Sequence, residues 1–404
     1  MTHPATRAVI AALEAAGGVG CARFVGGCVR DTLLGRAGEG LDIDIATPLT
    51  PDQVTKALEA AGLKAVPTGV EHGTITAVAK GRPYEITTLR RDVETDGRRA
   101  VVAFTNDWAE DASRRDFRLN ALYAEPDGTL HDPTGGGIED ARAGRIIFVG
   151  DPETRIREDY LRILRFFRFY AGYGRGEADG AALAACAALK DGLLGLSGER
   201  VSKELLKLLA APDPRAALAL MQSTGVLSAL LPAVDGLERV NVLVEIDADP
   251  ELRLAALLPD DRTAVLAAAQ RLRLSNAQRD RLLAACSDEM EVGAEMTDQA
   301  ARIAIYRLGG ATLADRLKLA WAATGGDIDT WRRLIGLSQT WTPPDFPITG
   351  ADIKAAGVGE GPHVGDVRRA IEAWWLAGDF KADRATALAE LKVVVESHDL
   401  NRLP

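Results

Sequence analysis

Long apolar runs are missing from this sequence. No stretch approaches the ~20 apolar residues that a membrane-spanning helix needs, because Glu14, Arg23 and Arg30 interrupt the N-terminal candidates. The N-terminus also lacks a basic segment followed by an apolar core and a cleavage site, so a cytoplasmic protein with no membrane role is expected. Cysteine is scarce: Cys21, Cys28, Cys186 and Cys286 are too scattered for a disulfide scaffold and lack the paired spacing of a zinc site. They read as small buried apolar residues. Positive charge is in deficit as well, with a formal net charge of −10. Spread evenly, that balance would argue against a nucleic-acid partner. It is not spread evenly. Arg142, Arg145, Arg155, Arg157, Arg162, Arg165, Arg168 and Arg175 crowd one stretch holding only four carboxylates, and a local basic stripe of this kind can bind phosphates. No repeat of fixed period is present, and the alanine-rich stretch at 181–188 reads as packed helix rather than low-complexity tail.

What is present is a chain of 404 residues, 47% of them hydrophobic, long enough for more than one domain at roughly 100–200 residues each. Up to about Asp140, helical and strand-like segments alternate. A helix is expected near residues 6–16, and strands at Phe24-Val25, Ile43-Asp44-Ile45, 74–79, 84–89, 101–104 and 119–124. This half reads as mixed α/β. After Glu158 the strand signals fade, and Ala/Leu/Arg-rich helical periodicity dominates, punctuated near Pro212, Pro232, Pro259 and Pro343. The second half is expected to be nearly all helix. Residues 341–347, Trp-Thr-Pro-Pro-Asp-Phe-Pro, form the clearest linker because consecutive prolines cannot continue a helix, and a last, small domain is placed after them.

Several local patterns carry chemistry. In Gly26-Gly-Cys-Val-Arg-Asp-Thr-Leu-Leu-Gly35, paired glycines after a short strand can bring backbone N–H groups close to a phosphate as a helix begins, with Arg30 adding a charged donor; an ordinary turn is the alternative. In Leu41-Asp-Ile-Asp-Ile45, a strand would put Asp42 and Asp44 on one face and the apolar residues on the other, in the core. Two such carboxylates repel unless a cation lies between them. Magnesium, which takes oxygen ligands and keeps waters or phosphates, suits the pair; a solvated strand face is the alternative. Glu85, on an alternating strand, offers a third carboxylate or an exposed edge residue. In Arg114-Arg-Asp-Phe-Arg-Leu-Asn-Ala-Leu122, the guanidinium, carboxylate and amide of Arg115, Asp116 and Asn120 can bind phosphate, ribose hydroxyls and a backbone turn. An Arg115–Asp116 ion pair would explain the two charges and leave Asn120 unused.

The segment Arg157-Glu-Asp-Tyr-Leu-Arg-Ile-Leu-Arg-Phe-Phe-Arg-Phe169 reads as one amphipathic helix. Glu158, Asp159, Arg162, Arg165 and Arg168 fall on one half of it, and Tyr160, Leu161, Ile163, Leu164 and Phe167 on the other. Asp159 and Arg162, three apart, form either a surface salt bridge of a few tenths of a kcal/mol or a base reader. Cytosine and adenine each present an unprotonated ring nitrogen beside an exocyclic amine, so an arginine donor and an aspartate acceptor match both. Uracil and guanine reverse that order.

Taken in order, Gly-Gly-x-Val-Arg-Asp, Asp-Ile-Asp, Glu-Ile-Thr-Thr-Leu-Arg, Arg-Arg-Asp-Phe-x-x-Asn-Ala-Leu and Glu-Asp-x-x-Arg make the chain resemble the bacterial and eukaryotic branch of tRNA nucleotidyltransferases. These are the CCA-adding enzymes, and the branch also includes bacterial poly(A) polymerases. The resemblance implies an α+β chain: a nucleotidyltransferase head with a mixed sheet at 1–140, a neck carrying base recognition at 141–205, a helical body at 206–340 and a helical, tRNA-binding tail at 341–404. It implies CCA addition from CTP and ATP with Mg2+, Asp42 and Asp44 as metal ligands and, more loosely, Glu85 as a third carboxylate. Gly26, Gly27 and Arg30 would then touch the triphosphate, and Asp116 with Asn120 would contact sugar and phosphate, beside Arg115. Asp159 and Arg162 would template C and A, with Arg165 and Arg168 on the same face.

The loop at 91–99 resembles the one needed for the final A. Residues 196–201 resemble the family's neck-to-body helix, and 348–365 its tail, where Lys354, Arg368 and Arg369 flank glycine turns that can grip an RNA backbone. A second, His/Asp phosphohydrolase activity is not expected, because only His363 and His398 follow His131. Arg118 stands where many relatives have threonine and reads as a tolerated surface change. The competing readings are a poly(A) polymerase, an A-adding specialist, a small-molecule nucleotidyltransferase and a non-catalytic tRNA-binding factor. A poly(A) polymerase would be expected to carry a basic stretch soon after the aspartates, whereas residues 45–64 hold only Lys56 and Lys64. No protein partner is implied.

Overall fold

The computed structural model describes residues 2–38, 40–96, 99–359 and 361–400, with side chains described outside 92–102 and 398–400. Of the loop singled out at 91–99, residues 97 and 98 and the side chains of 92–99 fall outside the described residues, while the backbone of 91–96 and of 99 is extended strand. The chain divides into two compact units. One holds residues 1–237 with 248–250 and 267–274, and the other holds 238–247, 251–266 and 275–404.

In the first unit, α1 (Pro4–Gly17), β1 (Arg23–Val25), α2 (Gly27–Leu33), β2 (Asp44–Thr47), α3 (Pro51–Ala60), β3 (Lys64–Gly69), β4 (Thr74–Ala79), β5 (Arg82–Thr88), β6 (Arg90–Asp96), β7 (Arg99–Phe104), α4 (Trp108–Ser113), β8 (Tyr123–Ala124) and β9 (Leu130–His131) form the α/β part. A seven-stranded sheet runs β3-β4-β5-β2-β1-β8-β9, and β6-β7 form a separate hairpin. β2 pairs with β5 in parallel and with β1 antiparallel, which makes the sheet mixed. Period-2 burial builds it: Tyr84, Ile86 and Thr88 are buried while Glu85 between them is exposed.

The helices that follow are α5 (Gly137–Ala143), α6 (Pro152–Glu158), α7 (Leu161–Tyr173), α8 (Gly180–Leu189), α9 (Gly198–Leu209), α10 (Arg215–Ser223) and α11 (Val226–Leu230). Phe166 of α7 packs on Phe117 and Phe148, joining this helix to the core beside the sheet. The apolar stripe of α9, Val201, Leu205, Leu208 and Leu209, is buried.

The second unit is helical: α12 (Leu237–Leu243), α13 (Pro250–Leu257), α14 (Arg262–Arg271), α15 (Asn276–Ala285), α16 (Asp298–Leu308), α17 (Gly310–Thr324), α18 (Ile328–Thr340), α19 (Gly350–Ala355), α20 (Pro362–Ala377) and α21 (Arg384–Leu400), with the first residues of α12 and α13 and the second half of α14 belonging to the first unit. Trp331, Leu313 and Leu317 centre one core and Ile353, Val367, Ile371 and Leu391 another. The prolines at 343–347 fall in the irregular segment between α18 and α19, as their missing N–H groups require. Among the described residues no helix is long and apolar enough to cross a membrane.

Three sequence expectations change. β2 begins at Asp44, so Asp42 lies ahead of the strand and Leu41 and Ile43 are only half-buried. The strand expected at 119–124 is a 3-10 turn at Arg118–Asn120 followed by the two residues of β8. The helix expected through 157–169 is broken: α6 ends at Glu158, Asp159 is extended (φ −155, ψ 106), and α7 starts at Leu161.

Candidate active site

At the end of β1 the chain turns through Gly26, whose φ of +71 falls where side chains are rarely tolerated, and Gly27 opens α2. This brings Arg30 inward, where it is buried. Its Nε and Nη2 donate to the two oxygens of Asp31 (2.9 Å each), Nη1 to Asn120 Oδ1 (2.5 Å), and Nη2 also to the Tyr173 hydroxyl (2.7 Å). Arg30 is thus mostly spent on protein partners rather than being a free arm for phosphate.

Asp116 is buried and doubly used. Oδ1 accepts from Asn120 Nδ2 (3.1 Å) and the Phe117 N–H, and Oδ2 accepts from Arg165 Nε (2.7 Å) and Nη2 (2.5 Å). Burial alone would raise its pKa, but Arg165 and these hydrogen bonds hold it below the ordinary value. Arg115 does not pair with Asp116. With Arg114 and the Tyr123 hydroxyl, it converges on the buried Asp111. A chain of polar contacts, Arg30–Asn120–Asp116–Arg165, therefore runs from α2 to α7.

The side chains of Asp159 and Arg162 are not partnered with each other either, although the Arg162 N–H donates to the Asp159 carbonyl (3.0 Å). Asp159 Oδ1 accepts the Leu161 N–H (3.1 Å) and Oδ2 accepts from Arg200 Nη2 (2.8 Å). Arg162 Nη1 donates to Glu158 (2.5 Å) and to the Arg155 carbonyl (2.8 Å). On the next turns, Arg168 pairs with the buried Glu204 of α9 (2.5 Å), which also lies 3.9 Å from Arg165.

These groups surround one cavity of 680 Å³. Gly26, Gly27, Arg30, Asp44, Arg115, Asp116, Asn120, Asp159, Arg162, Arg165 and Arg168 all line it, whereas Asp42 and Glu85 do not. The lining also includes Arg114, Arg200 and Lys207, which the sequence reading passed over. The available signal was the run of charged residues Arg200, Glu204 and Lys207 at helical spacing amid the apolar stripe of α9. Arg118, expected at the surface, instead pairs with the fully buried Asp140 (2.8 Å), which Arg145 also engages.

Glu85 is the cross-strand partner of Asp44 on β5. Burial first, with Glu85 and Asp42 adding to it and Arg115 opposing, raises the Asp44 carboxyl to about 6. This mutual repulsion is what a divalent cation would relieve, so the residues fit one. Among the described residues, no three or more histidine, cysteine or acidic side chains form a ready-made cage.

Residues 22–147 match the family model of the poly A polymerase head domain, and 179–237 match that of the probable RNA and SrmB- binding site of polymerase A. Head fold and cavity together define a nucleotidyltransferase of the poly(A) polymerase head class. The chain is 34% identical over 387 residues to the mitochondrial CCA tRNA nucleotidyltransferase 1 of Mus musculus, covering 92% of this chain and 86% of that one. It is 32% identical over 399 residues to the CCA-adding enzyme of Levilactobacillus brevis, covering 95% and 96%. The solved CTP complex of the Bacillus stearothermophilus CCA-adding enzyme matches 99% of this chain and 100% of its own with a TM-score of 0.75 and 27% identity. The chain belongs to the CCA tRNA nucleotidyltransferase family.

Proposed function

We propose that this protein adds C, C and A to the 3′ end of tRNA, using CTP and ATP and releasing pyrophosphate without a nucleic-acid template. The observation that carries the reading is that one cavity joins the Gly26-Gly27 turn and Asp44 to Asp159 and Arg162. A triphosphate and a base can therefore be held at once.

Asp42 and Asp44 would hold Mg2+, with Glu85 as a third carboxylate beside them. Bound there, the metal supplies charge neutralisation at the triphosphate and a lowered pKa for the attacking hydroxyl. The rest of the work is positioning. Gly26 and Gly27 bring backbone close to the phosphates. Arg115, Arg165 and Arg168 hold positive charge at the cavity wall, and Asn120 and Asp116 fix the sugar side. Asp159 keeps acceptor lone pairs beyond its two bonds, and the described contacts of Arg162 leave Nε–H to donate. The two can match the edges of C and A, while U and G would place like groups opposite each other.

A four-part organisation accompanies this reading: head to 140, neck to 205, body to 340, and a tail that grips tRNA through Lys354, Arg368 and Arg369. Cytosolic action completes it, checked by fractionating the source cells. The deciding experiment incubates tRNAs truncated at successive 3′ positions with magnesium and each NTP alone and together. Addition that stops after CCA, and is abolished in Asp42→Ala while tRNA binding persists, is expected. Unlimited A addition would make the protein a poly(A) polymerase, and addition of A alone onto CC an A-adding specialist. Binding without addition would make it a tRNA-binding factor.

A further inference from the structure

The cavity has a phosphate half, on α2 and the turn before it, and a base half, on α6 and α7. From α6 and the start of α7, Arg155 and Arg162 tie the base half to the chain that follows α4, donating to the carbonyls of Arg115 and Arg114 respectively. Three turns further along, the ties are different in kind. The Phe169 and Tyr173 rings, four residues apart on one helix face, stack with centroids 5.8 Å apart and planes 27° apart. The Arg30 guanidinium lies over both, 4.1 Å from the Tyr173 centroid and 5.3 Å from that of Phe169. Arg36 lies over Tyr173 at 4.9 Å, and Arg168 and Arg165 over Phe169 at 4.3 and 5.5 Å. Arg36 also donates to the Gly172 carbonyl (2.7 Å).

Four guanidinium groups gathered this closely repel one another. Carboxylates relieve part of that, Asp31 pairing with Arg30, Asp116 with Arg165 and Glu204 with Arg168, but each carboxylate also cancels positive charge a triphosphate needs. Aromatic faces attract the cations through their quadrupole and leave the formal charge in place. They also restrict a rotamer-rich side chain before the ligand arrives. We infer that Phe169 and Tyr173 form an aromatic ledge that holds Arg30, and through it the Gly26-Gly27 turn and Asn120, in register with Asp159 and Arg162. Tyr173 is then a positioning residue for nucleotide selection, acting by stacking and by the hydroxyl that accepts from Arg30. This deepens the proposed function and rests on it.

The test uses the full chain with Tyr173→Leu, Tyr173→Phe and Phe169→Leu. Two readouts are taken: steady-state addition of C and A to truncated tRNA, and direct binding of CTP against UTP. Tyr173→Leu is expected to lower kcat by about 10- to 100-fold and to narrow the CTP-over-UTP binding ratio, with KM for tRNA within roughly twofold. Tyr173→Phe, which keeps the ring, recovers most of both. A folded Tyr173→Leu protein with unchanged kcat and unchanged CTP preference overturns the inference. So does a parallel loss of tRNA and nucleotide affinity tracking a fall in Tm. If Tyr173→Leu does not fold, Phe169→Leu carries the same expectations and the same overturning result. A wild-type protein that prefers CTP yet adds nothing to tRNA would refute the function, and the binding ratio in the variants would still decide the ledge.

Discussion

Asp44 and Asp111 both sit under the influence of Arg115 yet titrate in opposite directions. Asp44 is raised to about 6 because burial and two neighbouring carboxylates outweigh the one arginine. Asp111 is more deeply buried, which by itself would raise it, but Arg115, Arg114 and the Tyr123 hydroxyl bring it down to about 2. The stability consequences follow from linkage. Asp111, depressed below its ordinary 3.8, contributes stability that is fully present above about pH 4 and lost as pH falls towards 2. Asp44, raised from 3.8, costs stability increasingly as pH rises from 3.8 to 6 and fully above that. In urea unfolding with EDTA, Asp111→Asn should destabilise by about 3 kcal/mol at pH 7, leaving two half-buried arginines short of their buried partner, and should flatten the loss below pH 4. Asp44→Asn should stabilise the metal-free protein at pH 7 by about 1–2 kcal/mol after allowance for solvent screening, with no gain at pH 4, while abolishing nucleotide addition. A destabilised Asp44→Asn protein at pH 7 would show that the carboxylate repulsion has been misjudged.

At the level of elements, the break between α6 and α7 is held from outside the helices. A Cβ on Gly192 would stand 1.9 Å from Tyr160 Cδ1 and 2.5 Å from Cγ. Because Cγ lies at the root of the ring, the ring could not swing aside cheaply. Gly192→Ala should therefore push Tyr160 away and cost about 1–3 kcal/mol. It should disturb Asp159 next door, read as a lower urea midpoint and a weaker CTP preference; an unchanged midpoint would mean that the break does not depend on this seat. The same arrangement explains why the break was not legible in the sequence. Residues 157–169 favour helix throughout, and what interrupts them is tertiary: Arg200 holds Asp159 from 41 positions later. The strands followed suit. β4 and β5 alternate cleanly and were readable, whereas β3 shows no such alternation and β9 is two residues long. Local motifs gave most of the cavity wall. Its remote members, Arg200 and Lys207, and the swapped partners Arg115–Asp111 and Asp116–Arg165 depended on packing that no spacing rule encodes.

For the whole molecule, the question is how a chain of net charge −10 and pI about 5.2 engages RNA. The excess negative charge repels nucleic acid generally, so binding must come from places where basic groups outnumber acids and are not all paired internally. Many arginines of the basic stripe are paired: Arg155 and Arg162 with Glu158, Arg157 with Glu153, Arg165 with Asp116 and Arg168 with Glu204. Arg142 and Arg175 are exposed instead, on segments brought together where the Arg175 N–H donates to the Gly144 carbonyl (3.0 Å). They are placed to meet phosphates outside the cavity. Each phosphate neutralised contributes about −0.7 to −0.9 to the slope of log K against log salt. Replacing both arginines by glutamine should therefore weaken tRNA binding across sequences and reduce the magnitude of that slope by about 1 to 2, while CTP affinity stays unchanged because neither residue lines the cavity. Filter binding over a range of KCl concentrations measures the slope, and calorimetry with CTP alone measures the second quantity. An unchanged slope would place the RNA contacts elsewhere, and a loss of CTP affinity would show that these arginines support the nucleotide cavity rather than the RNA.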